Sequence, residues 1–332
     1  MKFWRVLIVL VVLVCGSAIG GAWWWLNRPL PLAADTVEAS IEFGTPPRDI
    51  AFQWVRAGVQ ASPMLLYEWF RWSGEARKIR AGSYEIGRGT TPIELLNKMV
   101  RGDETLAVVR FTEGWTFKQL RLELAKAEAL KPVSATMSDA DIMQAIGAAG
   151  VAPEGRFFPD TYAYSKGSAD LAVLARAYRA MQRRLEGAWA ERTPDTPLKN
   201  VDEALTLASI VEKETGQAAD RGLVAGVFVN RLRVGMPLQT DPSVIYGLGA
   251  AFDGNLRKRD LQTDTPYNTY TRPGLPPTPI AIPGRASLLA AVRPEPTKAL
   301  YFVARGDGSS EFSETLAEHN RAVNRYQKKQ GQ

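Results

Sequence analysis

Three glutamates share one predicted helix and are the residues best suited to acid-base chemistry. The helical segment Val201–Thr215, ended by Gly216, contains Glu203, Glu212 and Glu214. A carboxyl group donates a proton in its neutral form and accepts one in its ionised form. The surroundings of each side chain on this helix therefore decide which of them could act on a substrate.

Glu214 falls on the apolar face of that helix, whereas Glu212 does not. The apolar stripe consists of Ala204, Leu207, Ile210 and Val211. At 100° per residue, Glu214 lies in the middle of the stripe and Glu212 on a different face. Burial raises the pKa of a carboxyl, and so does the negative end of a helix. The pattern predicts that Glu214 keeps its proton near neutral pH and acts as a general acid on a glycosidic oxygen. A frayed helix end, with Glu214 in solvent, is the alternative.

The composition excludes several other kinds of chemistry. Among 332 residues there are one Cys and one His, too few for a zinc site built from those ligands. Cys15 lies in an apolar run, and we expect His319 to make a local structural hydrogen bond. We therefore expect no metal and no cofactor. A net charge of +6 suits an anionic polymer or a membrane surface and does not indicate a nucleic-acid partner.

An uncharged run near the N-terminus is long enough to cross a membrane. Val6–Leu26 has 21 residues, which as a helix would span roughly 30 Å, and it ends in three tryptophans typical of a membrane interface. Lys2 and Arg5 precede the run, so the positive-inside rule places the short tail in the cytoplasm and the remainder outside. A cleaved signal peptide is the alternative, but the run is long and its Trp-rich end is a poor cleavage site. Val14 is too large for a lipoprotein site at Cys15.

The rest of the chain mixes helical and strand patterns, which predicts an α+β fold. Residues from Val37 to about Glu104 form a small α/β module, in which Thr45 and Thr91, each followed by proline, would cap helices. A larger domain follows, with helices in its core and a turn-rich stretch, Met236–Pro283. A long loop-dominated stretch inside a compact domain is usually functional.

Short motifs along this larger domain resemble those of the MltG/YceG family. In the family's order, they are Glu154–Tyr162 (EGRFFPDTY), Ala208–Thr215 (ASIVEKET), Phe228–Leu232 (FVNRL), Leu238–Pro242 (LQTDP), Val244–Gly247 (VIYG), Tyr267–Tyr270 (YNTY), Gly274–Pro277 (GLPP) and Glu318–Asn320 (EHN). One tetrapeptide would carry little weight, but the ordered set, with the preceding module, covers most of the chain from Val37 to the C-terminus.

The resemblance implies an endolytic murein transglycosylase of the bacterial inner membrane, single-pass, with its catalytic domain in the periplasm. It implies a cytoplasmic tail and transmembrane anchor over residues 1–28, a linker over 29–37, a LysM-like module over 38–104 and a YceG-like catalytic domain over 105–332. The substrate would be a peptidoglycan glycan strand, cut between N-acetylmuramic acid and N-acetylglucosamine to leave a 1,6-anhydro-muramyl end. The residue that aligns with the family's catalytic glutamate is Glu214, which would act first as acid and then as base.

Residues of the turn-rich stretch are candidates for holding the sugars. Gln239, Tyr246, Tyr267 and Asn268 could hydrogen-bond the N-acetyl and hydroxyl groups or stack on the rings. Core packing is the alternative for the tyrosines, and loop stabilisation is the alternative for the two amides. Asp241 would be the second carboxylate if the reaction were hydrolytic. Otherwise it would form an Asx turn or a helix cap.

Two other functions stay open on the sequence alone. One is a hydrolytic muramidase that uses Glu214 and Asp241, and the other is a non-catalytic glycan-binding scaffold of the cell-wall machinery. A scaffold has no need of a buried acid, so the placement of Glu214 favours an enzyme. By analogy with the family, the tether would bring the protein close to peptidoglycan synthases or division proteins as partners.

Overall fold

The protein, described by a computed structural model over residues 2–214 and 216–327, divides into two compact units. The first takes in the chain as far as Ala107, with Glu128–Leu130 and Ala163–Ser168, and the second takes in Val108–Ala127, Lys131–Tyr162 and the chain from Ala169 onward. Thr215, which the sequence assigns to the long helix, lies outside the described residues, as do residues 328–332 at the end of the predicted catalytic domain.

The first helix, α1, spans Lys2–Leu26 and coincides with the predicted membrane anchor. Its segment Leu7–Leu26 has a mean hydropathy of 2.2 and packs against no other part of the described chain over most of its length. Length and composition therefore suffice for crossing a membrane. The helix ends where the Asn27 side chain donates from Nδ2 to the Trp23 carbonyl, at 2.8 Å.

The first unit continues as a small α/β assembly on a two-stranded antiparallel sheet. Its elements are β1 (Thr36–Ile41), α2 (Pro47–Ala57), α3 (Pro63–Trp72), a 3-10 turn (Ala76–Lys78), β2 (Gly82–Gly87) and α4 (Pro92–Arg101). Thr36 lies opposite Gly87 and Ile41 opposite Gly82. Alternate residues of β1 are buried, as the two-residue period of a strand requires. Trp54 of α2 is fully buried in the core that these elements enclose.

The two predicted helix caps of this unit have different outcomes. Thr91 accepts a hydrogen bond from the Glu94 amide and Glu94 caps in return, which confirms the predicted capping box. The prediction for Thr45 is wrong by one residue, because α2 begins at Pro47 with Pro46 at the cap position. Proline fits the first turn of a helix, and two adjacent prolines leave the start ambiguous in the sequence.

The remaining elements are mostly helical. They are β3 (Leu106–Arg110), α5 (Phe117–Lys126), a 3-10 turn (Val133–Thr136), α6 (Asp139–Ala145), β4 (Thr161–Ser165), α7 (Asp170–Ala190), α8 (Val201–Glu214), α9 (Arg221–Arg233), α10 (Asp241–Leu248), a 3-10 turn (Gly249–Ala251), α11 (Lys258–Gln262), α12 (Arg285–Val292), β5 (Tyr301–Ala304), β6 (Ser310–Ser313) and α13 (Leu316–Tyr326). Strand β3 pairs with β4, and β5 with β6. The α+β class is confirmed, whereas the stretch Met236–Pro283 is less irregular than predicted because it contains α10 and α11.

Helix α8 lies at the centre of the helical core of the second unit. It packs against α7, α9 and α12, and it begins where the Asn200 side chain accepts the amides of Asp202 and Glu203. The predicted apolar stripe is too narrow, because every residue from Ala204 to Val211 is buried. Helices on several sides bury α8, so its last turn lies next to the interior of the unit.

Candidate active site

Glu214 is the last described residue of α8 and is half-buried. Burial raises the pKa of Glu214 to about 7, and the negative charge of Asp241 acts in the same direction. The Thr240 hydroxyl and the Arg231 guanidinium favour the ionised form and offset part of this rise. At neutral pH the carboxyl is therefore divided between its protonated and ionised forms, as a group that serves as acid and then base requires.

The turn that precedes α10 lies beside Glu214. Gln239 has a φ of 52°, a conformation that residues other than glycine rarely adopt. The Gln239 amide donates to the Thr269 carbonyl, and the Thr240 amide donates to Thr269 Oγ1, both at 3.0 Å. Thr240 is buried, and its Oγ1 has no formed hydrogen bond among the described residues. The turn is thus held in a strained conformation with a buried hydroxyl close to the carboxyl of Glu214.

Asp241 is the second carboxylate of this site. It is the first residue of α10, and Thr240 occupies the cap position, so the predicted helix-cap alternative for Asp241 is wrong. Its Oδ1 accepts a hydrogen bond from the Tyr270 hydroxyl at 2.6 Å. Burial raises the pKa of Tyr270, and the bond to Asp241 raises it further. A neutral phenol therefore holds Asp241 in place.

Arg231 on α9 is a member of the site that sequence reasoning missed. It is 7% exposed, and its guanidinium donates to the carbonyls of Leu300 (2.7 Å), Leu238 (2.8 Å) and Pro237 (3.2 Å) and to Gln239 Oε1 (3.4 Å). Burial lowers the pKa of Arg231, and Glu214 is among the groups that oppose this shift. The signal of Arg231 in the sequence was its place in the motif Phe228–Leu232.

His319 lies behind Arg231 and does not make the predicted hydrogen bond through Nδ1. Its ring stacks on Tyr301 at 5.3 Å between centroids, and the Arg231 guanidinium lies 5.3 Å from the centroid of the same tyrosine ring. The Nδ1 atom is buried without a partner among the described residues. Burial lowers the pKa of His319, and Arg231 lowers it further. The histidine is therefore a neutral stacking partner.

Glu212 lies on another face of α8, as predicted. Its Oε2 accepts the Gly284 amide at 2.9 Å. Glu113 also lies against Gly284, where an added Cβ would collide with its carboxyl. Partial burial raises the pKa of Glu113, and Glu212 raises it further, while Arg221 opposes them. Glu212 therefore fixes the backbone at Gly284.

A second glutamate, Glu154, is more deeply buried and was not predicted as a site residue. It is 7% exposed; Oε1 accepts the Phe117 amide at 2.9 Å and Oε2 accepts the Tyr246 hydroxyl at 3.0 Å. Burial raises the pKa of Glu154 to about 7, although both hydrogen bonds lower it. Its only signal in the sequence was its place at the start of the motif Glu154–Tyr162.

Glu154 lines a cavity of about 1060 Å³ between α5, the turn Val133–Thr136 and α10. The predicted sugar contacts Tyr246 and Tyr267 line the same cavity, with ring centroids 4.9 Å apart in an edge-on arrangement. The Tyr267 hydroxyl shares a hydrogen bond with Thr278 Oγ1 at 2.8 Å. The cavity is of a size that accommodates a small-molecule or oligosaccharide ligand.

Asn268 is fully buried in the turn-rich stretch. Its Nδ2 donates to the carbonyls of Asp260, Leu261 and Thr263, and its Oδ1 accepts the Tyr270 amide. This is the geometry that a loop-stabilising role predicts. Of the predicted residues, the structure thus brings Glu214, Gln239 and Asp241 together, places both tyrosines on the cavity, and encloses Asn268. Among the described residues, no group of three or more His, Cys, Asp or Glu side chains is arranged to hold a metal ion.

The chain is similar to a known protein family and to two bacterial enzymes of known name. The YceG-like family matches residues 39–325 of the chain. An endolytic murein transglycosylase of Bacillus subtilis is 32% identical over 93% of this chain and 91% of the relative. An endolytic murein transglycosylase of Streptococcus pneumoniae is 25% identical over 95% of this chain and 63% of its own length.

A solved structure is similar as well. The crystal structure of a yceG-like protein from Listeria monocytogenes has a TM-score of 0.54 and 28% sequence identity. The likeness covers 86% of this chain and 98% of that protein.

Proposed function

The chain belongs to the YceG-like family, and on this basis we propose that it cuts peptidoglycan glycan strands with Glu214 as its acid-base group. Its relatives are endolytic murein transglycosylases, and the chain is a lytic murein transglycosylase of the same class. The bond that it would cleave joins N-acetylmuramic acid to N-acetylglucosamine, and the product would carry a 1,6-anhydro-muramyl end.

The observation that carries the assignment of Glu214 is the environment of its carboxyl. Burial brings its pKa to about 7, and Thr240, Asp241 and Arg231 all act on it. Because the pKa is near neutral, the group is a strong enough acid to protonate a leaving oxygen and a strong enough base to recover a proton.

The proposed reaction has two steps and consumes no water. Protonated Glu214 donates its proton to the glycosidic oxygen as the bond from that oxygen to C1 of the muramic acid breaks. The carboxylate then accepts the proton of the C6 hydroxyl, whose oxygen forms the new bond to C1. The second step closes the anhydro ring and restores protonated Glu214, so one carboxyl serves both steps.

The sugars would be held along α10. Gln239 and Asp241 lie beside Glu214 at the start of this helix, and Tyr246 follows Asp241 by five residues, or roughly 8 Å along the axis. Tyr246 and Tyr267 would contact the next part of the strand in the cavity. Asn268 would act indirectly by fixing the loop that carries Tyr267.

Asp241 also supports the second candidate function, a hydrolytic muramidase. A carboxylate close to the acid could activate a water or form a covalent intermediate, as in ordinary glycoside hydrolases. The bond from Tyr270 keeps Asp241 in place for such a role. The two reactions differ in their products, so the test below separates them.

The remaining parts of the chain would deliver the enzyme to its substrate. We propose that α1 anchors the protein in the inner membrane, which its length and the Trp-rich end of its apolar run support. Both units would lie in the periplasm, the side that the positive charges of Lys2 and Arg5 before the run favour. We propose also that residues 38–104 form a LysM-like glycan-binding module, which the separate α/β core of this unit supports. Peptidoglycan synthases and division proteins are the partners that such a location would favour.

The decisive experiment uses the full chain in proteoliposomes and uncrosslinked glycan strands as substrate. Wild type, Glu214→Gln and the matched control Glu212→Gln are compared, because Glu212 is a glutamate of the same helix on another face. Products are analysed by mass spectrometry, in which an anhydro end is lighter than a reducing end by one water.

We expect anhydro ends from wild type and from Glu212→Gln, and at most about 1% of the wild-type cleavage from Glu214→Gln. Reducing ends that disappear in an Asp241→Asn variant would establish the muramidase instead. If Glu212→Gln is inactive and Glu214→Gln is active, the assignment of Glu214 is wrong. No cleavage by wild type would favour a glycan-binding scaffold.

A further inference from the structure

Helix α3 carries large apolar side chains on both of its faces. Its inner face packs into the core through Leu66 and Phe70, both fully buried. Its outer face exposes Met64, Leu65 and Trp72, which are 44%, 53% and 77% exposed. A surface helix of a soluble domain normally has one polar face, so the outer face of α3 needs a separate explanation.

The chain passes from α1 into the core of the first unit within a few residues. Helix α1 ends at Leu26, and Leu30 is already a core residue at 4% exposure. Trp25, in the last turn of α1, packs against the same core. The three residues between Leu26 and Leu30 span at most about 10 Å. If α1 crosses a membrane, the first unit therefore lies directly on the membrane surface.

Helix α3 is linked to the segment that follows α1 directly on its N-terminal side, and near its other end through the residues Thr90–Pro92. The Gln60 amide, just before α3, donates to the Pro31 carbonyl at 2.8 Å. Near the other end, Trp69 donates from Nε1 to the Pro92 carbonyl at 3.1 Å. Thr90, two residues before Pro92, accepts the Leu30 amide at 2.8 Å. These bonds place the length of α3 beside the exit of α1.

The other end of the first unit provides a contrast. Phe43 follows β1 and is 97% exposed. The register of the sheet places Thr36 and Gly87 at the end near Thr90, and Ile41 at the opposite end. Five steps along a strand amount to roughly 17 Å. Phe43 is thus an exposed apolar residue far from the exit of α1, and it serves as a control for the outer face of α3.

We propose that the outer face of α3 docks on the lipid bilayer that α1 crosses, with Met64, Leu65 and Trp72 at the boundary between headgroups and acyl chains. This inference rests on the proposed membrane insertion of α1. Tryptophan favours that boundary because its ring is apolar and its N–H is polar. Helices with apolar residues toward the lipid and charged residues beside them lie in the plane of the interface.

The polar groups of this face suit the same position. Trp72 donates from Nε1 to Glu68 Oε2 at 3.1 Å, and most of its ring stays exposed. The Arg71 guanidinium lies 5.3 Å from the centroid of the Trp72 ring and has a side chain that is 55% exposed. A long arginine side chain in this place reaches lipid phosphates while its stem covers apolar surface.

The test measures the depth of three positions in the same membrane. The full chain is reconstituted in vesicles of phosphatidylethanolamine and phosphatidylglycerol and labelled at a single cysteine with an environment-sensitive fluorophore. The three forms are the natural chain, labelled at Cys15, and Cys15→Ser chains that carry either Leu65→Cys or Phe43→Cys. Lipids with a nitroxide at a shallow or a deep position of the acyl chain quench the label.

We expect deep quenching at position 15, shallow quenching with a blue shift at position 65, and neither at position 43. Adding Trp72→Glu to the Leu65→Cys form should remove the blue shift at position 65 while the far-UV circular dichroism of the chain stays unchanged. A label at position 65 that behaves like the label at position 43, with position 15 deeply quenched, would overturn the docking and leave the anchor intact. Absence of deep quenching at position 15 would overturn the membrane insertion on which both rest. If the labels at positions 65 and 43 are both quenched and blue-shifted to the same extent, the domain adsorbs to the membrane non-specifically, which would also overturn the proposal.

Discussion

Glu214 and Glu154 are two glutamates of the same unit with the same raised pKa, about 7, and different surroundings. Both oxygens of Glu154 accept hydrogen bonds from the chain itself, from the Phe117 amide and the Tyr246 hydroxyl. Glu214 is half-buried and lies between a like charge and an opposite charge, Asp241 and Arg231. A raised pKa alone therefore does not identify a catalytic acid. What distinguishes Glu214 is the set of groups from other elements that act on its carboxyl, namely the Thr240 hydroxyl and the charges of Asp241 and Arg231.

The largest expected difference between the two glutamates is in catalytic rate. Glu214→Gln should lower kcat by about 10²- to 10⁴-fold, the range that a general acid-base group contributes. Glu154→Gln should raise KM, because it weakens the positioning of Tyr246, and should change kcat by less than about tenfold. Steady-state kinetics on uncrosslinked strands measures both. An equal loss of kcat in the two variants would contradict the distinction.

The second prediction concerns the pH dependence of that rate. Since the first step needs protonated Glu214, kcat should fall about tenfold per pH unit above pH 7. Asp241→Asn removes the charge that raises the pKa of Glu214, so the fall should begin at lower pH. Glu154→Gln should leave the pH at which kcat begins to fall unchanged. A wild-type rate that is constant up to alkaline pH would argue against Glu214 as the acid.

The third prediction concerns stability, for which the substitution of Glu154 should have the larger effect and that of Glu214 the smaller one. Both Ala variants remove a carboxylate whose ionisation the fold disfavours, but only Glu154→Ala also leaves the Phe117 amide and the Tyr246 hydroxyl without an acceptor. At pH 8 it should therefore have the lower free energy of unfolding of the two, by about 2–3 kcal/mol. Glu214→Ala removes a carboxylate whose ionisation the fold disfavours, so at pH 8 it should be neutral or stabilising by about 1 kcal/mol. Urea unfolding at pH 8 compares them. Greater destabilisation by Glu214→Ala would contradict the structural role of Glu154.

The same comparison can be followed across pH. The pKa of each glutamate is higher in the folded chain than its ordinary value of 4.5, so the folded chain binds more protons between about pH 4.5 and pH 7. The free energy of unfolding should therefore fall as the pH rises through this range, by up to about 3 kcal/mol for each group. Glu154→Gln and Glu214→Gln should each remove the part of this pH dependence of the free energy of unfolding that comes from the substituted glutamate.

The smallest effect is expected at Tyr246. Tyr246→Phe removes one hydrogen bond to Glu154 and should lower the free energy of unfolding by about 1 kcal/mol. The pKa of Glu154 should rise further, since the Tyr246 bond lowers it. The shift would be seen by NMR titration of the Glu154 carboxyl. An unchanged titration would mean that the hydroxyl does not control this carboxyl.

The sequence predicted local features of the fold better than long-range ones. The Thr91 capping box depends on four consecutive residues and is confirmed. The predicted start of α2 was wrong by one residue because two prolines, Pro46 and Pro47, stand in succession. Helix α10 was missed because it has only eight residues, with Pro242 in its first turn and Gly249 directly after it. Such a helix forms through packing rather than through its own periodicity.

The candidate site shows the same division. Helical phase selected Glu214 over Glu212 because both belong to one helix, and the structure places the two carboxyls in different surroundings. Arg231 and Glu154 were missed because their burial depends on carbonyls and amides that are distant in sequence, such as Leu300 and Phe117. No local pattern records those partners, and a buried charged residue is recognised only when its hydrogen bonds are seen.

Arg231 holds the turn beside Glu214 mainly through main-chain carbonyls of that turn, those of Pro237 and Leu238, and it also binds the carbonyl of Leu300 just before β5. Every residue has such a carbonyl, so side chains along this turn can change without releasing it. Lysine could not take the place of Arg231, because one ammonium on a flexible stem does not match a fork of five fixed donors. The site therefore combines one position that requires a particular side chain, Arg231, with two positions, Pro237 and Leu238, at which Arg231 requires only the main chain. Engineering of a new strand preference should leave Arg231 untouched.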